Sequence, residues 1–302
     1  MSKTLKELLR LTGMVLPRSA VVSFCEPADV SRDAIYERLL DGTYTKPFLV
    51  EDSGYLSLCF ALDGSAQTEM SLVEPDALAS EYTRKMMGFL VFQPQPKEVV
   101  LLGLGGGALA KFCHRHLPAT RITAVEISAD VIALRSHFQL PPDDERLRVI
   151  QGDGAHYIAQ LAERGEQVDA LLVDAYNHAG IARGMVTCTF LESAKQVLGE
   201  SGVLVMNLVD DLKYCLRYVE KIRKVFDKPV IVITMRDSGN WIVFAGQALA
   251  DSKRLTSALQ NVAQVESRLG LQFPRLFQRL YDLAEIRPAG VAGKHSRVSA
   301  FP

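Results

Sequence analysis

Val99-Val-Leu-Leu-Gly-Leu-Gly-Gly-Gly107 is followed along the chain by Thr123-Ala-Val-Glu126. An apolar run that stops on glycines reads as a buried strand entering a tight turn, and the helix after it offers free N–H groups to whatever the turn approaches. Glu126 falls about 20 residues past the glycines, the separation at which a second parallel strand sets a carboxylate beside a ribose. Strand, glycine turn, helix and a second strand ending in an acid together form the footprint of a nucleoside site.

Two more segments repeat the pattern. Arg148-Val-Ile-Gln-Gly-Asp-Gly154 and Asp169-Ala-Leu-Leu-Val-Asp-Ala175 are short apolar strands with an acid at their ends. Ligands of open α/β sheets bind outside the carboxyl ends of the strands, so Gly103 to Gly107, Glu126, Asp153 and Asp174 are expected to converge on one crevice. For any single acid the competing reading is a helix N-cap, a position that Asp favours. Four in series, glycines first, favour the crevice.

The rest of the chain bounds the answer. Its 302 residues, 48% hydrophobic and 23% charged, suit a globular enzyme with a main domain and a smaller one. A formal charge of −1 with dispersed Lys and Arg gives no footprint for nucleic acid. No apolar run approaches the roughly 20 residues needed to cross a bilayer, and the opening Met1 to Arg10 lacks a signal-peptide core, so the expectation is a cytoplasmic protein without a membrane partner. Five cysteines form no C-x-x-C pair and read as reduced core residues. His114 and His116, two apart on a helix, face different ways, and no metal site is expected.

Along the chain, residues 1–74 read as a small β-rich domain, with a helix near Leu5 to Leu11, strands at Lys46 to Glu51 and Tyr55 to Ala61, and turns at Asp52-Ser-Gly54 and Asp63-Gly64. A helix is expected from Pro75 through Leu78, Tyr82, Met86 and Leu90, ended by Gln93-Pro-Gln-Pro96. Residues 75–286 then alternate strand and helix, which specifies a mostly parallel sheet, with Val230 to Thr234 and Trp241 to Ala245 as an antiparallel edge. Residues 287–302, rich in Gly, Ser and Ala, read as a flexible tail.

The chain resembles the spermidine and spermine synthases, the polyamine aminopropyltransferases. The resemblance rests on Leu62-Asp-Gly-Ser-Ala-Gln67, Gly103-Leu-Gly-Gly-Gly107, Val125-Glu126, Gly152-Asp-Gly154, Val173-Asp174 with Gly180 after it, and Gly202-Val-Leu. It implies an α/β fold with a Rossmann-like, methyltransferase-type sheet and a small N-terminal β domain. It further implies decarboxylated S-adenosylmethionine as co-substrate, no tightly bound cofactor, a small-molecule amine acceptor and pairing into homodimers. Position by position, Gly103 and Gly105 would form the turn under the nucleoside, Glu126 would bind the ribose hydroxyls, and Asp153, next to Gly154, would read the adenine amino group. Gln67 would lie near the methylthio group, and Asp174 would be the acid beside the reacting amine.

That chemistry suits the residues. Alkyl transfer from a sulfonium needs an in-line nucleophile and an orienting pocket. An amine with a pKa of roughly 10 must first lose its proton, which a carboxylate at the mouth of the fourth strand can hold or accept. Tyr176, Asn177 and Tyr82 are the candidates for the acceptor channel. For Tyr176 the alternative is a ring packed on the sheet. For Tyr82, with Asp76 and Glu81, it is a solvated helix face, the commoner case.

The chain departs from the family pattern at three places. Gly106 stands where the family carries an aspartate facing the donor's terminal ammonium. Asn177 replaces the later acid of the D-[ST]-[ST]-D-P segment. Glu74-Pro-Asp-Ala-Leu-Ala-Ser-Glu-Tyr-Thr83 loses the family's spacing of tyrosine and glutamate. An S-adenosylmethionine-dependent methyltransferase on the same fold keeps every nucleoside contact and accommodates Gly106 and Asn177 more easily. A catalytically silent nucleoside-binding protein is the second alternative, and a dinucleotide dehydrogenase ranks below it.

Overall fold

A computed structural model describes residues 20–27, 29–61, 66–177, 180–235 and 238–285. The expected helix at Leu5 to Leu11, the turn at Asp63-Gly64 and the tail at 287–302 lie outside them.

The first sheet is an antiparallel meander of β1 (Val21–Phe24), β2 (Phe48–Asp52), β3 (Tyr55–Cys59) and β4 (Ala66–Ser71), with α1 (Arg32–Leu40) between β1 and β2. The β2–β3 turn places Ser53 at φ 51° and Gly54 at φ 81°, the left-handed pair that matches the twist of a two-residue hairpin. One face of the sheet packs Phe48 and Cys59 on Ile35 and Leu39 of α1. The other face sets Leu49, Leu58 and Met70 against Leu134 and Phe138, residues of the larger sheet's surround.

The expected helix through Pro75 to Leu90 is corrected. The segment forms α2 (Glu81–Met86) and α3 (Phe89–Phe92), broken at Met87-Gly88. A Cβ on Gly88 would lie 2.7 Å from Leu276 Cδ2, so the break is where a later helix closes on the backbone.

From there strands and helices alternate. They are β5 (Glu98–Leu102), α4 (Ala108–His116), β6 (Arg121–Glu126), α5 (Ala129–Ala133), β7 (Leu147–Gln151), α6 (Gly154–Glu163) and β8 (Ala170–Val173). A short hairpin, β9 (Tyr176–Asn177) with β10 (Gly180–Ile181), precedes α7 (Cys188–Leu198), β11 (Val203–Leu208), α8 (Leu212–Phe226), β12 (Ile231–Thr234) and β13 (Trp241–Ala245). α9 (Ser252–Leu269) and α10 (Pro274–Glu285) follow.

The second sheet has the order β12-β13-β11-β8-β5-β6-β7, parallel from β11 to β7 and antiparallel at β13 and β12. This is the mostly parallel sheet with an antiparallel edge that the alternation predicts. Successive side chains of each strand enter opposite cores. Val99, Leu101 and Leu172 face α3, α4 and α9, whereas Val100, Leu102 and Val173 face α6, α7 and α8. No described helix is long and apolar enough to cross a membrane.

Candidate functional site

Strand order creates the site. β5 sits between β6 and β8, and the connections after β5 and β8 leave on opposite faces, which opens a crevice where their carboxyl ends stop. Gly103 continues the ladder, donating its N–H to Val125 O at 2.9 Å, while Asp174 N–H donates to Leu102 O at 2.9 Å. The chain then turns through Gly103 (φ 91°), Gly105 (φ 53°) and Gly107 (φ 77°) into α4.

Glu126, 9% exposed, ends β6 against this turn. Its Oε2 accepts from Leu104 N–H and its Oε1 from Ser128 N–H, both at 2.8 Å. The two amides fix the carboxylate's orientation, and each oxygen keeps a lone pair for a diol. Asp153 is the N-cap of α6, its Oδ1 accepting from Ala155 N–H at 2.7 Å and His156 N–H at 3.0 Å. The competing helix-cap reading therefore describes one oxygen of this acid, although the residue also lines the crevice.

The crevice brings together Gln67, Gly103, Gly105, Glu126, Asp153, Gly154, Asp174 and Tyr176. Gln67 and Thr68 of β4 form its roof from the small sheet. Thr68, which sequence reasoning missed, accepts from Gly106 N–H at 3.1 Å and so ties the roof to the glycine turn. A Cβ on Gly106 would lie 2.5 Å from Thr68 Cγ2 and 2.6 Å from Phe138 Cδ1, so an aspartate would have to displace both side chains.

Asp174 lies beyond the end of β8. Asn207 Nδ2 donates to its Oδ1 at 2.9 Å, and the Tyr82 hydroxyl is hydrogen-bonded to the same carboxyl group. Burial raises its pKa above the ordinary carboxylate value, and the two hydrogen bonds oppose that rise. Tyr82 is not on a solvated helix face. α2 carries it inward beside Asp174, Thr68 and Gly103, where burial and the nearby carboxylate raise its own pKa well above the usual tyrosine value. Tyr176 OH donates to Asn207 O at 2.7 Å, and burial raises this phenol as well. Asn177 pairs with Gly180 in the short hairpin.

Elsewhere, His114 Nε2 meets Asp144 Oδ2 at 2.7 Å. Among the described residues no group of three or more His, Cys, Asp or Glu could hold a metal.

A seven-stranded α/β sheet with a glycine turn, an acid after the second strand and a buried acid after the fourth defines a Rossmann-like protein of the methyltransferase type. The profile of the spermine/spermidine synthase domain matches residues 69–247, and the chain belongs to that family of transferases. The polyamine aminopropyltransferase of Chromobacterium violaceum is 34% identical over 215 residues, covering 71% of this chain and 81% of that protein. Among solved structures, spermidine synthase from Thermotoga maritima superposes with TM-score 0.57 at 17% identity, covering 78% of this chain and 84% of that one. Human methyltransferase-like protein 13 in complex with SAH gives TM-score 0.54 at 24% identity, covering 73% and 98%. At these identities the two structures show the shared fold.

Proposed function

We propose that the chain transfers an aminopropyl group from decarboxylated S-adenosylmethionine to a small amine, with Asp174 as the base. The observation that carries this reading is the single crevice in which the nucleoside-type cradle and the buried Asp174 meet. The glycine turn carries the adenosine, Glu126 takes the ribose hydroxyls, Asp153 and Gly154 face the adenine edge, and Gln67 covers the sulfur from the roof. The acceptor nitrogen approaches between Asp174, Tyr82 and Tyr176. Asp174 holds the ammonium and takes its proton. The freed lone pair attacks the propyl carbon bonded to sulfur, the C–S bond breaks, and its electron pair leaves on sulfur as methylthioadenosine. The site works by placement, desolvation and one proton acceptor.

Methyl transfer from S-adenosylmethionine is the second reading, favoured by one observation: Thr68 and Phe138 fill the space beside Gly106 where an acid for the donor's ammonium would stand. Calorimetry separates the two. Titration with decarboxylated S-adenosylmethionine, S-adenosylmethionine, methylthioadenosine and S-adenosylhomocysteine is expected to show preference for the first and third. The opposite preference moves the activity to methyl transfer, and silence from all four overturns both enzymes.

Glu126→Ala tests the cradle. It removes two charge-assisted hydrogen bonds to the ribose and orphans the Leu104 and Ser128 amides, so methylthioadenosine affinity is expected to fall at least about 100-fold. Unchanged affinity in that titration would mean that the nucleoside binds elsewhere.

A further inference from the structure

β11 is wholly buried, and apolar at every position but one: Val203, Leu204, Val205, Met206 and Leu208 surround Asn207, which is 3% exposed. A buried amide in a central strand is costly unless its donors and acceptor are met. Asn207 meets them sideways across the sheet. Its Nδ2 donates to Asp174 Oδ1 at 2.9 Å, and its Oδ1 accepts from Asn240 Nδ2 at 2.8 Å. Asn240, 7% exposed, immediately precedes β13, whose antiparallel course brings its start to the same sheet edge as the ends of β11 and β8. The Asn240 carbonyl in turn accepts from Met235 N–H at 2.8 Å, fixing its backbone.

The polarity of this row is uniform. Each amide turns its N–H toward Asp174 and its oxygen away, so the dipoles of Asn240 and Asn207 align with their positive ends at the carboxylate. Reversing Asn207 would put its oxygen against a carboxylate oxygen and its N–H against that of Asn240. The row also stands apart from the nucleoside cradle, since neither asparagine lines the crevice.

We propose that Asn207 and Asn240 are positioning residues that aim Asp174 at the acceptor nitrogen and hold it as the ionised proton acceptor. No proton passes along the row, because amides keep their hydrogens. The proton from the acceptor ammonium stops on Asp174. The other titratable groups around Asp174 are Tyr82 from α2 and Tyr176 from β9, with Glu69 beyond Tyr82 and Cys215 and Asp210 beyond Tyr176. Both tyrosines are raised above their usual value, so neither titrates near neutral pH. The proposal rests on the reading of Asp174 as the base.

The test is a ¹³C titration of the full chain labelled at its aspartate carboxyls, with the Asp174 signal assigned as the one absent from Asp174→Asn. Asn207→Leu removes a hydrogen bond made to the charged form, so the Asp174 pKa is expected to rise by about one to two units. The acid limb of kcat should move up by the same amount, with methylthioadenosine affinity unchanged. Asn240→Ala leaves Asn207 in place and strips its outer donor, so a smaller rise in the same direction is expected. Asn240 bonds to Asn207 rather than to Asp174, so an effect there travels through Asn207, and this variant decides the matter if Asn207→Leu fails to fold. A loss of thermal stability with the Asp174 titration unmoved would reduce the row to packing and overturn the proposal. Retention of aminopropyl transfer by Asp174→Asn would overturn the proposed function instead, while the titration would still report on the row.

Discussion

Asp174→Asn is expected to lower aminopropyl transfer by about a thousandfold and to leave methylthioadenosine binding intact. The amide keeps the shape of the side chain and can still accept from Asn207 Nδ2 through its oxygen, so the end of β8 and the crevice wall stay in place. It can neither pair with an incoming ammonium nor take its proton. The loss should therefore appear in kcat, read by steady-state assay with decarboxylated S-adenosylmethionine and a panel of amines, with donor-product affinity read by calorimetry. Full activity in this variant would remove Asp174 from the chemistry.

The same substitution carries a stability prediction of unusual sign. Burial raises the Asp174 pKa in the folded chain above its unfolded value, so folding favours the protonated form. That contribution is fully present below the unfolded pKa and is lost as pH rises through the folded pKa. Above the folded pKa the ionised carboxylate is a net burden on the fold. Asp174→Asn removes it, and its Tm at neutral pH should equal or exceed that of the wild type, with the difference shrinking at low pH. A site that the free protein carries at a cost, and that an ammonium relieves on binding, is the expected state of a base built for a cationic substrate.

How much of this was readable from sequence depends on burial pattern. β5, β6 and β8 lie in the middle of a sheet covered on both faces, so they are continuous apolar runs, and the acids after them stand out against that background. β4 is harder to read, because Ala66-Gln-Thr-Glu-Met-Ser71 has one face on the core and the other toward the crevice or solvent, and its six residues alternate weakly. A motif marks Gln67, but nothing in the sequence marks Thr68, whose role depends on the approach of the small sheet to Gly106. β1 and α1 were missed too: four residues of alternating exposure and a helix of nine with two buried side chains give little periodic signal.

Asn207 did carry a signal. An amide inside Val203 to Leu208 is out of place in a strand buried throughout, and that mismatch could have marked it. Its partners could not be read, because pairing across β8, β11 and β13 depends on strand order rather than on sequence separation. For the same reason the sequence leaves Tyr82 between the acceptor channel and a solvated helix face. Helical spacing ranks the faces of a helix but does not say what each face meets, and here the Tyr82 hydroxyl meets the Asp174 carboxyl group.

Gly103→Ala is expected to cost the fold and the site together. At φ 91° an alanine is strained before any contact is considered, and its Cβ would lie 2.2 Å from Asp174 O and 2.8 Å from Asp174 C. Neither neighbour can yield cheaply, since Gly103 is hydrogen-bonded to Val125 and Asp174 to Leu102 across adjacent parallel strands. The methyl must then push apart β5 and the end of β8, which carry the glycine turn and Asp174. We expect a loss of about 3 kcal/mol, a fall in Tm of roughly 6–12 °C, and no measurable methylthioadenosine binding. Gly165→Ala isolates the cause: Gly165 also has positive φ, 69°, but a Cβ there meets nothing within 4 Å. That variant carries only the backbone strain, about 1–2 kcal/mol, and should bind methylthioadenosine as the wild type does. If thermal melts and calorimetry found the two variants equal, the close packing of the glycine turn against Asp174 would not be what Gly103 provides, and the coupling between the glycine turn and Asp174 would have to be sought in Thr68 and the roof.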